Sequence, residues 1–445
     1  MAVSPARAAA FKILLRVEHD ESYASELFHS SRLAKLSSSD HGLATELVMG
    51  VLRWRSLLDQ RLASASSQRL DRLDPEVLTA LRLGIYQLQF LSRVPARAAI
   101  FESVELVKAA RKRSAASFVN AILRKSERNS AESTLEAIEH CADAGQLAAC
   151  SAHPEWLVAR WVERYGLASA REICVHNQSV PGTAIHICDD QSEKELAEAG
   201  AHLSPGLLLS RARRVDSGDV MTTSAYREGG ISIQDEASQL VALLAGHGER
   251  ILDCCAAPGS KTSLLAKRNP RARVFASELH PHRARLLRQL VSLPNVHVVA
   301  ADARQLPFAA GFDRILADVP CSGTGTLARN PEIKWRLKPE DLSDLQSRQI
   351  AILKSALGQL ADHGRLVYST CSLEREENEA VVEAALDGAG EFTLVDCRVE
   401  LEQLKQSNEV CWSDVGSLVA GPYLRTIPGE HPCDGFFAAI IERRA

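Results

Sequence analysis

The chain has 445 residues, 24% of them charged and 46% hydrophobic, with a formal net charge of −4. That length suggests about three domains with sizeable cores, the composition is that of an ordinary soluble globular protein, and no apolar run approaches the ~18 residues of a bilayer span. Eleven cysteines, an odd number with no C-x-x-C pair, suggest neither a disulfide framework nor a metal site, so free thiols in a reducing, cytoplasmic setting are expected. The near-neutral total conceals an asymmetry: residues 1–130 carry 20 Lys and Arg against 13 Asp and Glu, a net +7, which leaves −11 for the remainder. A basic N-terminal module suits a phosphate backbone, and a solvated helical surface accounts for the same charges equally well.

Met1 to Leu15 carries Arg7 and Lys12 among alanines, without the apolar core or cleavage signature of a targeting segment, and reads as part of the fold. From Ala6 to about Arg128 the pattern is helical: Phe11, Leu14, Leu15 and Val17 give one amphipathic face, Leu43, Leu47, Val48, Val51 and Leu52 a second, and Leu78, Leu81, Ile85 and Leu88 a third. An all-α bundle over 1–130 is the expected product. Its basic clusters, Arg111-Lys112-Arg113 and Arg124-Lys125, suit an RNA or a solvated helix end. Residues 131–230 mix a helical piece at 154–165, whose Trp156 and Trp161 read as core, with an apolar segment at 183–187, and predict a small α/β linker subdomain.

From 231 to 445 strands and helices alternate. Strands are expected at 250–253, 274–277, 296–299, 312–317, 365–369 (behind a Gly364 turn) and 436–441, with helices between them including 281–290 and 345–360. This predicts a mainly parallel, doubly wound sheet.

The residues able to do chemistry fall at the ends of those strands. After the first comes Asp253-Cys254-Cys255-Ala256-Ala257-Pro258-Gly259-Ser260-Lys261-Thr262, where small residues and Gly259 let the backbone approach a ligand and the following helix N-terminus favours negative charge. It has neither the glycine spacing of a dinucleotide loop nor that of a P-loop. Glu278, 25 residues after Asp253, ends the next strand, where an acid can hold two ribose hydroxyls. Asp302 ends the third, placed for an adenine amino group, and Asp318 the fourth. Any one of these acids reads as a solvated strand end; four in register suggest a nucleoside cofactor. Cys371, in Tyr368-Ser369-Thr370-Cys371-Ser372, closes a further strand, and a free Cys there is commonly a small core hydrophobe. A second thiol in a similar setting, Asp318-Val319-Pro320-Cys321, favours function.

These motifs, with Ala317 to Gly325 around the Pro-Cys pair, resemble those of the S-adenosylmethionine-dependent RNA cytosine-5 methyltransferases. Arg329-Asn330-Pro331-Glu332-Ile333-Lys334-Trp335, Ile233 to Ser238 and Asp434-Gly435-Phe436-Phe437 are similar to further segments of that family. Met49-Gly50-Val51-Leu52-Arg53, Gly84-Ile85-Tyr86-Gln87-Leu88 and Phe118 to Arg124 resemble the NusB-type helical RNA-binding domain, and His153-Pro154-Glu155-Trp156-Leu157 the start of the linking subdomain. The resemblance covers nearly the whole chain. It implies a NusB-like all-α bundle, a small α/β linker and a Rossmann-like catalytic domain acting on 16S rRNA before subunit assembly, at cytosine 967, with no DNA or membrane partner.

Carried over residue by residue, the resemblance puts S-adenosyl-L-methionine on Cys255, Ala256, Ala257, Pro258, Gly259, Ser260 and Lys261, with Glu278, Asp302 and Asp318. Ser260 stands where the family often has a second Gly, and Glu278 where Asp is common. Cys371 is implied as the nucleophile toward cytosine carbon 6, Cys321 as the thiol that assists its release, and Asp318 as a hydrogen-bond partner of the cytosine edge. Lys261 supplies positive potential or a structural contact. The same reaction on tRNA or another rRNA cytosine, and a non-catalytic RNA-binding assembly factor, remain as alternatives. A DNA cytosine-5 methyltransferase uses the Pro-Cys thiol as nucleophile and has no need of Thr370-Cys371.

Overall fold

A computed structural model of the chain describes residues 3–20, 22–28, 36–126, 133–309 and 311–444. It divides into two compact units, Met1–Val180 with Leu327–Arg336, and Pro181–Thr326 with Leu337–Ala445. No helix among the described residues is long and apolar enough to cross a membrane.

The first unit is helical: α1 (Pro5–His19), α2 (Ala24–Phe28), α3 (Ser38–Ala65), α4 (Pro75–Phe90), α5 (Ala96–Ala109), α6 (Ala116–Ser126), α7 (Ser133–Glu139), α8 (Ala144–Cys150) and α9 (Glu155–Gln178). Local chemistry starts them: proline occupies the first turn of α1 and α4, where its missing N–H is no loss, and Ser37 Oγ accepts the Asp40 N–H ahead of α3. Leu47, Leu58, Leu62, Leu81, Leu83, Ile85 and Leu123 are fully buried between them. Gly50 is what lets α3 and α4 meet, because a Cβ there would lie 1.9 Å from the Tyr86 ring.

The expected boundary at 130–131 lies outside the described residues. Helices α8 and α9, whose residues were expected in a linker subdomain, belong to this unit, where Leu147, Leu157, Val158 and Trp161 are buried. The segment 327–336 belongs here too, although it was expected with the catalytic domain. Its side chains donate to backbone carbonyls of the helical unit: Lys334 Nζ to Arg53 O (2.8 Å) and Ala152 O (3.0 Å), Trp335 Nε1 to Leu52 O (2.7 Å), and Arg336 Nη2 to Val17 O and Ser22 O (both 2.7 Å).

The second unit carries two sheets. The smaller, antiparallel throughout, contains β1 (Thr183–Ile187), β2 (His202–Pro205), β3 (Ala212–Ser217) and β4 (Ile231–Ile233) in the order β2-β3-β1-β4. The larger contains β5 (Arg250–Asp253), β6 (Arg273–Glu278), β7 (Val296–Ala300), β8 (Phe312–Asp318), β9 (Leu360–Thr370), β10 (Phe392–Val395), β11 (Val419–Ala420), β12 (Tyr423–Thr426) and β13 (Phe436–Arg443). Its order is β11-β12-β13-β9-β8-β5-β6-β7, with β10 also paired to β13.

Strands β5 to β9 are parallel, whereas every pair involving β10 to β13 is antiparallel, so the parallel expectation holds for only half of the sheet. For β11, β12 and β13 among themselves the reason is connection length: a parallel neighbour needs a crossover of about a dozen residues or more, and the short links between them permit only hairpins. β9 also runs back through Gly364 to Leu360, where a turn was expected, and a register shift opposite Phe312 and Arg314 absorbs the extra residues. Successive strand residues alternate faces: Ile251, Leu316 and Val367 pack with helices 236–244 and 260–268, while Leu252, Ile315, Leu366 and Tyr368 pack with helices 341–357 and 379–386. Helices on both faces leave the strand C-termini as the open edge.

Candidate active site at the strand ends

The order β9-β8-β5-β6-β7 sets the C-terminal ends of five parallel strands in a row. The chain winds outward from β5 to β7 and returns at β8 on the other side of β5, so the switch point, where open α/β sheets bind ligands, lies between β5 and β8.

At the end of β5 the loop turns sharply into the helix Ser260–Arg268. Gly259 precedes that helix with φ +119°, and a Cβ on it would lie 2.4 Å from Val291 Cγ2 and 2.6 Å from Leu287 Cδ1. The Ala256 N–H is tied to Ser277 O (2.9 Å), and Thr262 Oγ1 donates to Asp253 Oδ2 (2.7 Å). Asp253 is buried, and its pKa is pushed up to about 6, chiefly by burial and further by Asp318, with the Thr262 hydroxyl opposing. Its Oδ1 has no hydrogen-bond partner. Burial raises the Cys254 and Cys255 thiols well above their ordinary value, so neither is a ready nucleophile. Ala257 and Ser260 are half-buried and Pro258 is exposed.

Glu278, at the end of β6, is buried and accepts the His280 N–H on Oε1 (3.0 Å), while its carbonyl takes the Ala301 N–H (3.0 Å) from the neighbouring strand end. Asp302 lies two residues past β7. Arg304 Nη2 sits 2.6 Å from its Oδ2, and this hydrogen-bonded pairing holds the carboxyl below its usual range. The row of acids thus exists, with Asp302 already engaged by its own neighbour. A buried orphan oxygen on Asp253, beside a turn that Gly259 packs tightly against Leu287 and Val291, fits a polar ligand held at the loop.

Strands β8 and β9 bring the thiols together. Asp318 pairs with Ser369, the Val319 N–H extends the pairing to Ser369 O (3.0 Å), and Cys321 Sγ ends 3.4 Å from Cys371 Sγ. The contact with Cys371, then burial, raises the Cys321 thiol well above its ordinary value. Asp318 is held from two sides, by Lys261 Nζ on Oδ2 (2.7 Å) and by Ser369 Oγ on Oδ1 (2.8 Å). Burial alone would lower the Lys261 ammonium, but Asp318 outweighs it and raises the group.

The residues that brace this pair escaped the sequence reading. Ser322 and Ser372 each follow a cysteine, and both reach Glu377, which reads in sequence only as part of an acidic helix start. The one available signal was the repeated Cys-Ser. Among the described residues no group of three or more His, Cys, Asp or Glu side chains is arranged to hold a metal ion.

Residues 240–442 match the family model for 16S rRNA methyltransferase RsmB/F, and residues 4–128 match that of the NusB family. A Bacillus subtilis (strain 168) protein named "Probable ribosomal RNA small subunit methyltransferase B" is 33% identical over 98% of this chain and 98% of its own. The Vibrio cholerae (strain El Tor Inaba N16961) ribosomal RNA small subunit methyltransferase B is 31% identical over 91% of this chain and 90% of its own. The fold matches the crystal structure titled PH0851, with a TM-score of 0.79 at 21% identity over 100% of both chains. The chain therefore belongs to the ribosomal RNA small subunit methyltransferase B family, S-adenosylmethionine-dependent enzymes that methylate RNA and carry a NusB-type helical domain.

Proposed function

We propose that this RNA methyltransferase methylates carbon 5 of a cytosine through a covalent bond between Cys371 and carbon 6, and that its target is cytosine 967 of 16S rRNA. The observation that carries the chemistry is the pair of thiols 3.4 Å apart at adjacent strand ends, beside an acid fixed by Lys261. Carbon 5 of cytosine is a poor nucleophile until carbon 6 is substituted, so a thiolate adds first and converts the ring to an enamine. Cys371 takes that role. S-adenosylmethionine supplies the methyl group as an electrophilic carbon on a sulfonium.

The loop from Cys255 to Lys261, with Glu278 and Asp302, would hold that cofactor, the Glu278 carboxylate suiting a ribose diol. Asp318, its own direction fixed by Lys261 and Ser369, accepts from the cytosine amino group and so orients the ring for attack. After transfer a base takes the carbon-5 proton, and the electron pair it leaves restores the double bond between carbons 5 and 6 as Cys371 departs from carbon 6 as a thiolate. Cys321, held in its protonated form, donates to the departing Cys371 sulfur. A base inside an RNA helix is shielded from this attack, so the target cytosine is unpaired or splayed out, and the basic charge of residues 1–130 suits the RNA backbone around it. Two thiols that must stay reduced fit a cytoplasmic enzyme.

The test uses the thiols separately. Purified protein is expected to move labelled methyl from S-adenosylmethionine to 16S rRNA; Cys371→Ala abolishes transfer, and Cys321→Ala accumulates an RNA adduct on Cys371. Normal turnover in Cys371→Ala, or an adduct mapped to Cys321, would reverse the assignment. Loss of methylcytosine at position 967 in cells lacking the protein checks the target; an unchanged 16S rRNA points to tRNA or another rRNA cytosine.

A further inference from the structure

Each thiol is followed by a serine, and both serines lead to one carboxylate. Glu377 is fully buried in the short turn Arg375–Glu377 that follows β9. Its Oε2 accepts from Ser322 Oγ and from Ser372 Oγ (2.5 Å), and the two hydroxyls lie 3.1 Å apart. Its Oε1 accepts from the Ser322 N–H (2.8 Å) and from Gln349 Nε2 (2.9 Å), which also donates to Pro320 O (3.0 Å). The carbonyl of Glu377 takes the Tyr368 hydroxyl (2.5 Å), and the adjacent Asn378 donates to Ser372 O (2.8 Å). Cys321 is therefore fixed through both of its chain neighbours, and Cys371 through Ser372, from a single point.

No Lys or Arg pairs with this carboxylate among the described residues. Burying an acid with hydrogen bonds alone is expensive, and well-packed apolar side chains would join the two loops at lower cost. What they would not do is fix both loops by directional contacts to the same atom.

We propose that Glu377 is a positioning residue for methyl transfer. By taking the hydroxyl that follows each cysteine, it sets the separation of the Cys321 and Cys371 sulfurs, and with it the rates at which Cys371 forms and releases its bond to the cytosine. The inference deepens the thiol mechanism proposed above and rests on it.

Glu377→Asp draws the carboxylate back by about one carbon–carbon bond, and a misplacement on the order of 1 Å is expected to lower kcat about 100-fold. The KM values for RNA and for S-adenosylmethionine stay where they were. Glu377→Gln keeps the length and the Oε1 acceptor while the serine hydroxyls reverse, so its loss is smaller, about tenfold. The second readout is the single-turnover rate of adduct formation on Cys371 in the Cys321→Ala background, expected to fall in Cys321→Ala/Glu377→Asp. Should Glu377→Asp lose its fold, Ser372→Ala, which removes one hydroxyl and leaves the carboxylate, reads the same rates.

Wild-type kcat in Glu377→Asp, a loss confined to KM, or an adduct rate that does not change overturns the inference while the thiol mechanism stands. Absence of any Cys371 adduct in Cys321→Ala with Glu377 intact overturns both.

Discussion

Lys261 Nζ lies 2.7 Å from Asp318 Oδ2, joining the cofactor loop after β5 to the acid that ends β8. The ammonium also stands over the Phe436 ring at 5.1 Å, and Asp318 raises it against the effect of burial, so Lys261 stays charged at neutral pH. Lys261→Met leaves a mostly buried Asp318 with only the Ser369 hydroxyl. Breaking a buried pair from one side costs several kcal/mol; with some solvent access at Asp318, about 2 kcal/mol is expected here, or roughly a 30-fold slower methyl transfer. Initial rates with saturating RNA and S-adenosylmethionine measure this, and wild-type rates in Lys261→Met would mean that Asp318 needs no such partner.

Gly259 combines a left-handed backbone with a space already filled by Leu287 and Val291. Gly259→Ala has to adopt an unfavourable φ and displace two buried side chains, for a combined cost on the order of 2 kcal/mol. The expected outcome is a lower Tm together with weaker S-adenosylmethionine binding by calorimetry. Stability lost with affinity intact would separate this turn from the cofactor site.

Elements governed by local chemistry were legible in the sequence. The segment 183–187, the strand 250–253 and the Pro-led helix 281–290 fall where their apolar patterns put them. β10 and β12 are four residues each, too short for a pattern to stand out along the chain, and pairing with β13, and for β12 also with β11, makes them strands. The thiols and acids could be read because each lies at a strand end or within three residues of one. Glu377 could not, since besides the nearby Ser372 its partners lie 55 residues away at Ser322 and 28 at Gln349, and a local serine does not mark a buried carboxylate. Lys334 is a stronger case, an ordinary charged residue in sequence whose partner Arg53 is 281 positions distant.

Asp253 makes stability depend on pH. Burial lifts its carboxyl from 3.8 to about 6, so the folded protein holds that proton more tightly than the unfolded chain does. Its contribution is full below pH ~4, is lost as the pH rises through about 6, and is constant above; a shift of about two units corresponds to roughly 3 kcal/mol. Asp253→Asn does not titrate. The stability of this variant relative to wild type is therefore expected to rise between pH 4 and about 7 and then level off, as read from Tm across that range. A difference that does not vary with pH would mean that Asp253 is ionised as readily in the fold as in the open chain.

Lys334 reverses the sign. The residue is 1% exposed, its ammonium donates to the carbonyls of Arg53 and Ala152 and stands 5.3 Å from the centroid of the Trp335 ring, and no carboxylate pairs with it among the described residues. Burial pushes its pKa well below 10.5, the Cys174 sulfur opposes, and the Arg53 guanidinium adds to the fall. The unfolded chain now binds the proton more tightly, so the penalty is present at low pH and relieved as the pH climbs from the folded value toward 10.5. Lys334→Met keeps the length of the side chain without the charge, and loses both hydrogen bonds at every pH as a fixed offset. Relative to wild type it is expected to be most stable at the acid end and to lose that advantage steadily toward pH ~10, measured as the difference in Tm. A difference that grows with pH instead would mean that Lys334 is charged and satisfied in the folded unit, and that its two carbonyl partners outweigh the cost of its burial.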